Sequence, residues 1–412
     1  MPQLKRKPKS NQAKKQAEIL HKKEFISKLT AFIDKAAGEP VSKLIPKPDL
    51  DFMYHFRANP LRIECAPGQK IPGNILKSCR EISQDLFDNE LIPFRIGAIN
   101  MLNLKDFTSL ALTVSLFTKH LQADSFPHAH IVQQKLAGFH EKFNFSYLSS
   151  FPELLDRIMT TISAFHSEAS KQYYQCLLTS KDGITSTTIL VNCYAIPAEK
   201  TQICIKNKVR PIYHVATGLS NMQGQTPSYN TLLFVSVLSE DLFLPPGQIF
   251  DVYIQSHAIE RLQERLQGVH KNFIHCCFFI SLNNLKICKT KNGTLLFEYY
   301  LLGNKAGYFT GEIVDNKVIL TTFLFLTHTS TPEGDKLYQK HQLTKLDKNY
   351  LSIDTLKAFV FSDIATHPEV KQLFIEAGCE SLFNIGKGLY HNQEEQTEVQ
   401  IANTILQYLR QK

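Results

Sequence analysis

The chain of 412 residues contains no tryptophan, no C-x-x-C pair and no apolar run as long as a membrane span. Its nine cysteines are scattered, whereas zinc fingers and disulfide frameworks use closely and regularly spaced cysteines, so neither is expected. A bilayer-spanning helix needs about 20 consecutive apolar residues. No apolar segment typical of a signal peptide follows the N-terminus. We therefore expect a cytoplasmic protein that is not inserted into a membrane and that keeps its cysteines reduced.

The polar loops and histidine-rich segments also contain no motif for nucleotide binding, serine hydrolysis or metal binding. The polar loop Gly218–Ser228 has no G-x-G-x-x-G, P-loop or G-x-S-x-G spacing. Four histidines, at positions 120, 128, 130 and 140, lie close in sequence, but residues two apart do not share a helix face and no carboxylate or cysteine is suitably spaced. We therefore expect neither a cofactor nor a metal.

Composition indicates a soluble globular protein, with 43% hydrophobic and 20% charged residues. The length suggests two or three domains. The formal net charge is +8, but eight basic residues and one acidic residue lie within Met1–Lys23, so this segment carries +7 and the rest of the chain +1. The positive charge therefore belongs to the tail and not to a globular face.

The basic tail allows two interpretations. Lys5, Arg6 and Lys7 are placed to contact the phosphates of RNA or another anionic surface. Alternatively, the tail only solubilises the terminus and precedes a docking helix whose apolar residues recur from Ile26 to Ala36. Gly38 and Pro40 are expected to end that helix.

The chain then divides into a helical and a β-rich region. Apolar spacing predicts helices, and a run of strand signals begins at Gln172 with a hairpin around Asp182-Gly183. Pro245-Pro246-Gly247 is the main predicted boundary. The predicted helices are Ile75–Leu91, Leu104–Leu121, Ile131–Phe143 and Phe151–Ser167, and the predicted strands are Tyr173–Thr179, Ser186–Ala195, Gln202–Val215 and Thr231–Leu238.

Beyond that boundary the pattern predicts an α+β domain. Asp251–Gln255 reads as a strand, whereas Phe273–Ile280 is continuously apolar and could be a strand or a helix. Two hairpins are marked by Lys291-Asn292-Gly293 and Asp315-Asn316. The predicted fold class is therefore α+β, with a basic tail and docking helix (1–49), a helical and then β-rich domain (50–247), an α+β domain with an antiparallel meander (248–345) and a C-terminal helical extension (346–412).

The segment Ser256–Leu266 predicts a short amphipathic helix with an unusual polar face. His257, Arg261 and Arg265 fall on one stripe, and the two arginines are four residues apart, which is mildly unfavourable in an isolated helix. Such a set suits an anionic ligand better than it suits helix stability. A second interpretation is structural, since Ser-His often caps a helix and arginine often covers a core.

A strand, helices carrying His-Ala-x-x-Arg-x-x-x-Arg and an antiparallel meander together resemble the small toxin ribonucleases of the RelE and barnase type. The resemblance covers about Asp251–Thr329, under a quarter of the chain, and its specific part is the helix from Ser256 to Arg265. It implies a polar side chain on the last strand facing the helix, for which Thr321 and Thr322 are the candidates. It also implies an aromatic residue on the middle strands, provided here by tyrosines at positions 299, 300 and 308.

RNA cleavage of this type uses the 2′-hydroxyl of the substrate as nucleophile and needs no metal. Histidine titrates near neutrality and arginine can stabilise negative charge on the phosphate, so the resemblance implies catalytic His257, Arg261, Arg265 and Thr322. Stacking on a base or donating a hydrogen bond is the role implied for Tyr299 and Tyr308, the candidate substrate-binding residues of this domain.

The sequence thus leaves three functions open. The first two are a metal-independent endoribonuclease and an RNA- or phosphate-binding domain of the same type, each with a partner-binding or regulatory N-terminal region. The alternative is a non-catalytic interaction or scaffold protein of the cytoplasm that binds a protein partner through its N-terminal helices. A catalytic domain should keep its activity in isolation, whereas a scaffold should recover its partner in a pull-down.

Overall fold

The computed structural model describes residues 11–182, 187–205, 207–216, 232–389 and 400–411. The chain is of the α+β class, as predicted, and divides into two compact units. The first unit comprises Met1–Ile162 and Cys176–Tyr194, and the second comprises Ser163–Gln175 and Ala195–Lys412. None of the described helices combines the length and apolarity needed to cross a bilayer. The predicted boundary at Pro245–Gly247 falls inside the second unit, because strands on both sides of it belong to one sheet.

The first unit is mainly helical, but its helices match the predicted ones only in part. The helix predicted from Ile26 to Ala36 is part of a longer helix that begins at Asn11, within the basic tail, and ends before Gly38, whose φ of +77° is the left-handed conformation that glycine adopts most easily. The single helix predicted over Ile131–Phe143 is wrong, because Gly138, with φ of +76°, separates two helices there, and the helix predicted over Leu104–Leu121 is interrupted by a π-helical turn. Its helices are α1 (Asn11–Ala37), α2 (Lys47–Phe56), α3 (Gly73–Asn89), α4 (Leu104–Asp106), α5 (Leu112–His120), α6 (Ala129–Lys135), α7 (Phe139–Phe143) and α8 (Phe151–His166), with π-helical turns at Phe107–Ala111 and Asn144–Leu148 and a 3₁₀ turn at Val41–Leu44.

Short strands in the first unit were not predicted. Their sequences contain prolines or show little alternation of apolar and polar residues, so hydrophobic periodicity did not predict them. These strands are β1 (Asn59–Cys65), β2 (Leu91–Ile96) and β3 (Ile99–Asn103). β2 and β3 form a hairpin, and β1 lies parallel to β5 (Thr187–Pro197), which is also hydrogen-bonded to β4 (Gln172–Asp182). The predicted turn at Asp182-Gly183 lies largely outside the described residues.

A single sheet organises the second unit. Its strand order is β10-β11-β12-β13-β9-β7-β6, with β8 paired to β9. The strands are β6 (Lys200–Ile205), β7 (Lys208–His214), β8 (Ser236–Leu238), β9 (Ile249–Ile254), β10 (Ile287–Lys289), β11 (Leu295–Leu301), β12 (Asn304–Val314) and β13 (Lys317–Phe325), with a 3₁₀ turn at Glu240–Leu242.

The antiparallel meander from β10 to β13 is confirmed. Asp315 and Asn316 both have positive φ, at 48° and 56°, as a primed hairpin turn requires. The sheet nevertheless contains a pairing that was not predicted, because β9 lies parallel to β13. The predicted strand Gln202–Val215 is in fact two strands, β6 and β7, that pair with each other.

Helices flank this sheet. Phe273–Ile280 belongs to a helix, and Ile274–Phe279 are all buried, which explains why its sequence shows no polar face. α9 packs against β13, and α15 packs against β12. The helices are α9 (Ser256–Arg265), α10 (Lys271–Asn283), α11 (Pro332–His341), α12 (Lys345–Tyr350), α13 (Leu356–Val360), α14 (Pro368–Ala377), α15 (Glu380–Leu389) and α16 (Ala402–Gln411).

Candidate functional site

The polar face of α9 makes ion pairs with nearby carboxylates. His257 is exposed in the first turn. One turn further, Nη1 of Arg261 lies 2.6 Å from Oε2 of Glu264, and both side chains are largely exposed. This is the i,i+3 pair that the sequence offered, and it offsets the repulsion between the two arginines.

Arg265 is held more tightly. Its guanidinium forms an ion pair with the carboxylate of Asp354, and the exposed fractions of the two side chains are only 21% and 12%. The same guanidinium also lies 3.4 Å from the backbone carbonyl of Asp354. Among the described residues, the side-chain hydrogen bonds and ion pair of Arg265 therefore connect it to the segment before α13, and none of them joins it to His257 or Arg261.

The other candidate residues have core partners. Tyr299 is fully buried and donates a hydrogen bond to the carbonyl of Ile274 at 3.1 Å. Tyr308 is also buried and donates to the carboxylate of Glu333 at 3.0 Å, and burial together with that negative charge raises its pKa. Thr322 is half-buried on β13.

These positions do not suit the stacking role that the resemblance implies for the tyrosines, because a base needs an accessible ring face. The threonine that makes a described side-chain bond is Thr321, whose hydroxyl lies 2.8 Å from that of Thr310. Lys5, Arg6 and Lys7 lie outside the described residues.

A cavity of about 570 Å³ in the first unit offers a different site. Two helices line it with residues at helical spacing: positions 21, 24, 25 and 28 of α1, and positions 80, 83, 84 and 87 of α3. Residues three, four and seven apart share one face of a helix, so each helix presents a continuous stripe to the cavity. The segment Arg57–Ala58, strand β1 and the segment Lys105–Leu110 complete the wall.

Cationic side chains predominate around this cavity. Lys28, Arg57, Arg62, Arg80 and Lys105 line it, against the three carboxylates of residues 24, 64 and 106. With histidine neutral, the lining therefore carries two net positive charges, although the chain outside Met1–Lys23 is nearly neutral.

Local contacts distinguish these cations. Lys105 is neutralised by Asp88, whose Oδ1 lies 2.9 Å from its Nζ. Arg57 is held in place because its guanidinium lies 3.7 Å above the ring of Tyr54 and donates to the carbonyl of the same residue. Arg80 donates through Nε to the carbonyl of Ile63 at 3.0 Å, which orients its guanidinium.

Lys28 and Arg62 are exposed, and neither lies within ion-pair distance of a carboxylate among the described residues, although the charge of Lys28 helps to lower the pKa of Asp88. The cavity wall thus combines two oriented guanidinium groups with two exposed cations.

A buried hydroxyl group lies in the same wall. Ser83 is 2% exposed, and its Oγ has no hydrogen-bond partner among the described residues. Leaving a buried hydroxyl unpaired costs about 1–3 kcal/mol, so such groups usually have a partner. Phe25 and Phe87 provide apolar wall beside it. A ligand with acceptor oxygens and an apolar portion fits this combination.

Sequence reasoning missed this site because its residues come from five separate segments. The available signal was weak: the stripes on α1 and α3 each carry a cation beside apolar residues, which is also the pattern of an ordinary surface helix. Comparisons of the chain with protein-family models, with curated proteins and with solved structures found no match.

Proposed function

We propose that the protein binds a small phosphate-bearing ligand in the cavity of the first unit. The observation that supports this proposal is the group of cations that line the cavity, with Arg57 and Arg80 oriented by the protein itself. The same lining includes Ser83, whose Oγ has no hydrogen-bond partner among the described residues. Guanidinium groups bind phosphate through two aligned donors, and a serine hydroxyl adds a third.

The size and lining of the cavity fit a nucleotide-sized molecule. Ligand sites typically enclose about 300–1,000 Å³ and combine apolar wall with a few polar groups. Phe25 and Phe87 could contact the apolar or aromatic part of such a ligand while the cations hold its phosphate. This proposal keeps the predicted phosphate-binding function but assigns it to a part of the chain that the sequence did not single out.

The test is a binding titration of the full chain with inorganic phosphate, a nucleoside 5′-monophosphate and a short single-stranded RNA. Arg62→Gln and Lys28→Gln should each weaken nucleotide binding by about 10-fold or more, because a hydrogen bond to a charged group is worth about 1.5–3 kcal/mol. The matched control is Arg95→Gln, which removes an exposed arginine of the same unit that does not line the cavity. Absence of nucleotide and phosphate binding, or equal affinity in all three variants, would overturn the proposal.

Binding of RNA by the tail is a separate proposal with its own test. Deleting Met1–Ser10 removes Lys5, Arg6 and Lys7 without cutting into α1, whereas a longer deletion would remove the contact of His21 with Tyr54. Shortened and full chains should differ in salt-sensitive RNA affinity and agree in nucleotide affinity. Equal RNA affinity would refute the role of the tail.

Ribonuclease activity at α9 stays a prediction of the resemblance. The exposed His257 supports it, while the pairing of both arginines with carboxylates favours the structural interpretation. Cleavage of RNA in excess chelator by the full chain, lost in His257→Ala, would establish it. The scaffold alternative predicts instead a protein partner recovered by the first unit in a pull-down.

A further inference from the structure

Three cysteines that are far apart in sequence meet in the interior of the first unit. Cys79 lies on α3, Cys176 on β4 and Cys193 on β5, and their sulfur atoms all lie within 4.8 Å of one another. Cys176 Sγ and Cys193 Sγ are 3.4 Å apart. Each residue is at most 4% exposed, and the surroundings are apolar side chains such as Ile63 and Val191.

This spacing is close to that of thiolates around one metal ion. A Zn–S bond is about 2.3 Å long, so two ligands of a tetrahedral zinc site lie about 3.8 Å apart. The distances within the cluster extend from 3.4 Å to at most 4.8 Å, on either side of that value. Changes of about 1 Å or less in the sulfur–sulfur distances would therefore bring the three sulfurs onto one ion.

A fourth cysteine lies beside the cluster. Cys65 on β1 is the register partner of Cys193 on the parallel strand β5. Partners on neighbouring strands project from the same face of a sheet, so both side chains lie on one side. The Cys65 thiol is half-buried and now donates to the carbonyl of Gln69 at 3.2 Å. A rotation of this side chain would supply the fourth sulfur of a tetrahedral site.

We propose that Cys79, Cys176 and Cys193 form a binding site for one thiophilic metal ion, with Cys65 as the fourth ligand. Thiolate sulfur selects Zn²⁺ and Cu⁺ among biological metals. Charge favours Zn²⁺, because four thiolates around Zn²⁺ leave two net negative charges in the protein interior and around Cu⁺ leave three. Four protein ligands would complete the coordination shell, as in structural zinc sites, and would attach α3 to the sheet β1-β5-β4.

The competing explanation is that these residues are small hydrophobic side chains of the core. Free cysteine is among the most buried residue types, and Cys276 and Cys277 of α10 are buried in this way. What distinguishes the cluster is that three thiols from three separate elements converge. Among the described residues, no other group of three or more metal-ligating side chains is this close.

The experiment uses the full chain, purified with reductant and freed of metal. Titration with Zn²⁺, with Co²⁺ as a spectroscopic probe and with Cu⁺ should show one equivalent bound, and Co²⁺ should give the intense near-ultraviolet absorption of thiolate ligation. Loss of a residue that only supports a metal ligand costs about 10- to 100-fold in affinity, so Cys176→Ser and Cys193→Ser should each cost about 100-fold or more. The matched control, Cys276→Ser, removes an equally buried thiol of the second unit and should bind as the unaltered chain does.

A second measurement needs no variant and so does not depend on a variant folding. In the unaltered chain under mild denaturant, Zn²⁺ should slow alkylation of Cys79, Cys176 and Cys193, mapped by mass spectrometry, and leave Cys276 unaffected. Tight Cu⁺ binding with the same cysteine dependence would support the site and identify copper as the occupant. Failure to bind any of the three ions, or equal protection of the control cysteine, would overturn the proposal. Loss of nucleotide binding alone would not, because the cysteines proposed to bind the metal do not line the cavity.

Discussion

Disruption of the ion pair between Arg265 and Asp354 tests whether α9 has a structural or a catalytic role. Asp354 lies between α12 and α13, and its carboxylate also accepts from Nδ2 of Asn349 at 3.4 Å. Arg265→Ala would remove the cation and leave this carboxylate in a site where only 12% of its side chain is exposed. The expected effect is a loss of stability, because a poorly hydrated charge without a partner is costly.

The expected loss of stability depends on how exposed the two side chains of the ion pair are. Removing one partner of a fully buried pair costs about 3–5 kcal/mol, and exposed pairs contribute about 0–1 kcal/mol. The pair of Arg265 lies between these limits but close to the buried one, so we expect a loss of about 2–3 kcal/mol. The pair of Arg261 with Glu264 is 42% and 53% exposed, so Arg261→Ala should cost about 0.5 kcal/mol.

Urea unfolding followed by circular dichroism measures this difference. The double variant Arg265→Ala, Asp354→Ala should lose less stability than the two single variants lose in sum, because it leaves no charged side chain without its partner. The same proteins should be assayed for RNA cleavage in excess chelator. If both single arginine variants unfold like the unaltered chain while cleavage falls about 100-fold in each, α9 is a catalytic element and the structural interpretation is refuted.

Three further predictions concern the second unit. Burial lowers the pKa of His275 to about 4, below the value of about 6.5 in an unfolded chain. Its contribution to the free energy of unfolding is therefore complete above about pH 6.5. As the pH falls toward 4, about 3 kcal/mol of that free energy is lost. His275→Gln should reduce the slope of unfolding free energy against pH, and an unchanged slope would contradict this; His328, similarly shifted, should retain part of it. Thr331→Ala should cost about 1–2 kcal/mol in urea unfolding, because its hydroxyl accepts from the backbone of Gly334 at 3.0 Å as a helix cap, and Thr331→Ser should restore stability if the cap is responsible. Gly334→Ala should cost about 3 kcal/mol or more, since a Cβ there would lie 1.8 Å from the carbonyl oxygen of His328; unfolding at an unchanged urea concentration would refute that close approach.

Local signals predicted much of the secondary structure. Apolar residues at helical spacing identified α1, α3 and α8, and turn residues identified the hairpin at Asp315-Asn316. These signals work because caps, turns and amphipathic faces depend on residues that are near in sequence.

The candidate sites were less predictable from sequence. The stripe of His257, Arg261 and Arg265 exists on α9, but the partner of Arg265 is Asp354, 89 residues away. The cavity of the first unit draws its cations from α1, the end of α2, β1, α3 and α4. Long-range contacts of this kind leave no periodic trace, so the sequence could propose charged residues but not their partners.

By itself, the sequence determined the α+β class, the end of α1 before Gly38 and the meander, because backbone propensity, turn chemistry and hydrophobic period are local properties of the chain. Only the tertiary structure decided which strands share a sheet: it placed β6 and β7 beside β9, and β9 parallel to β13. It also gathered Cys79, Cys176 and Cys193, whose sequence spacing had argued against a metal site. The physical reason is that packing of a hydrophobic core brings distant segments together, and their side-chain chemistry then depends on neighbours that no local pattern specifies.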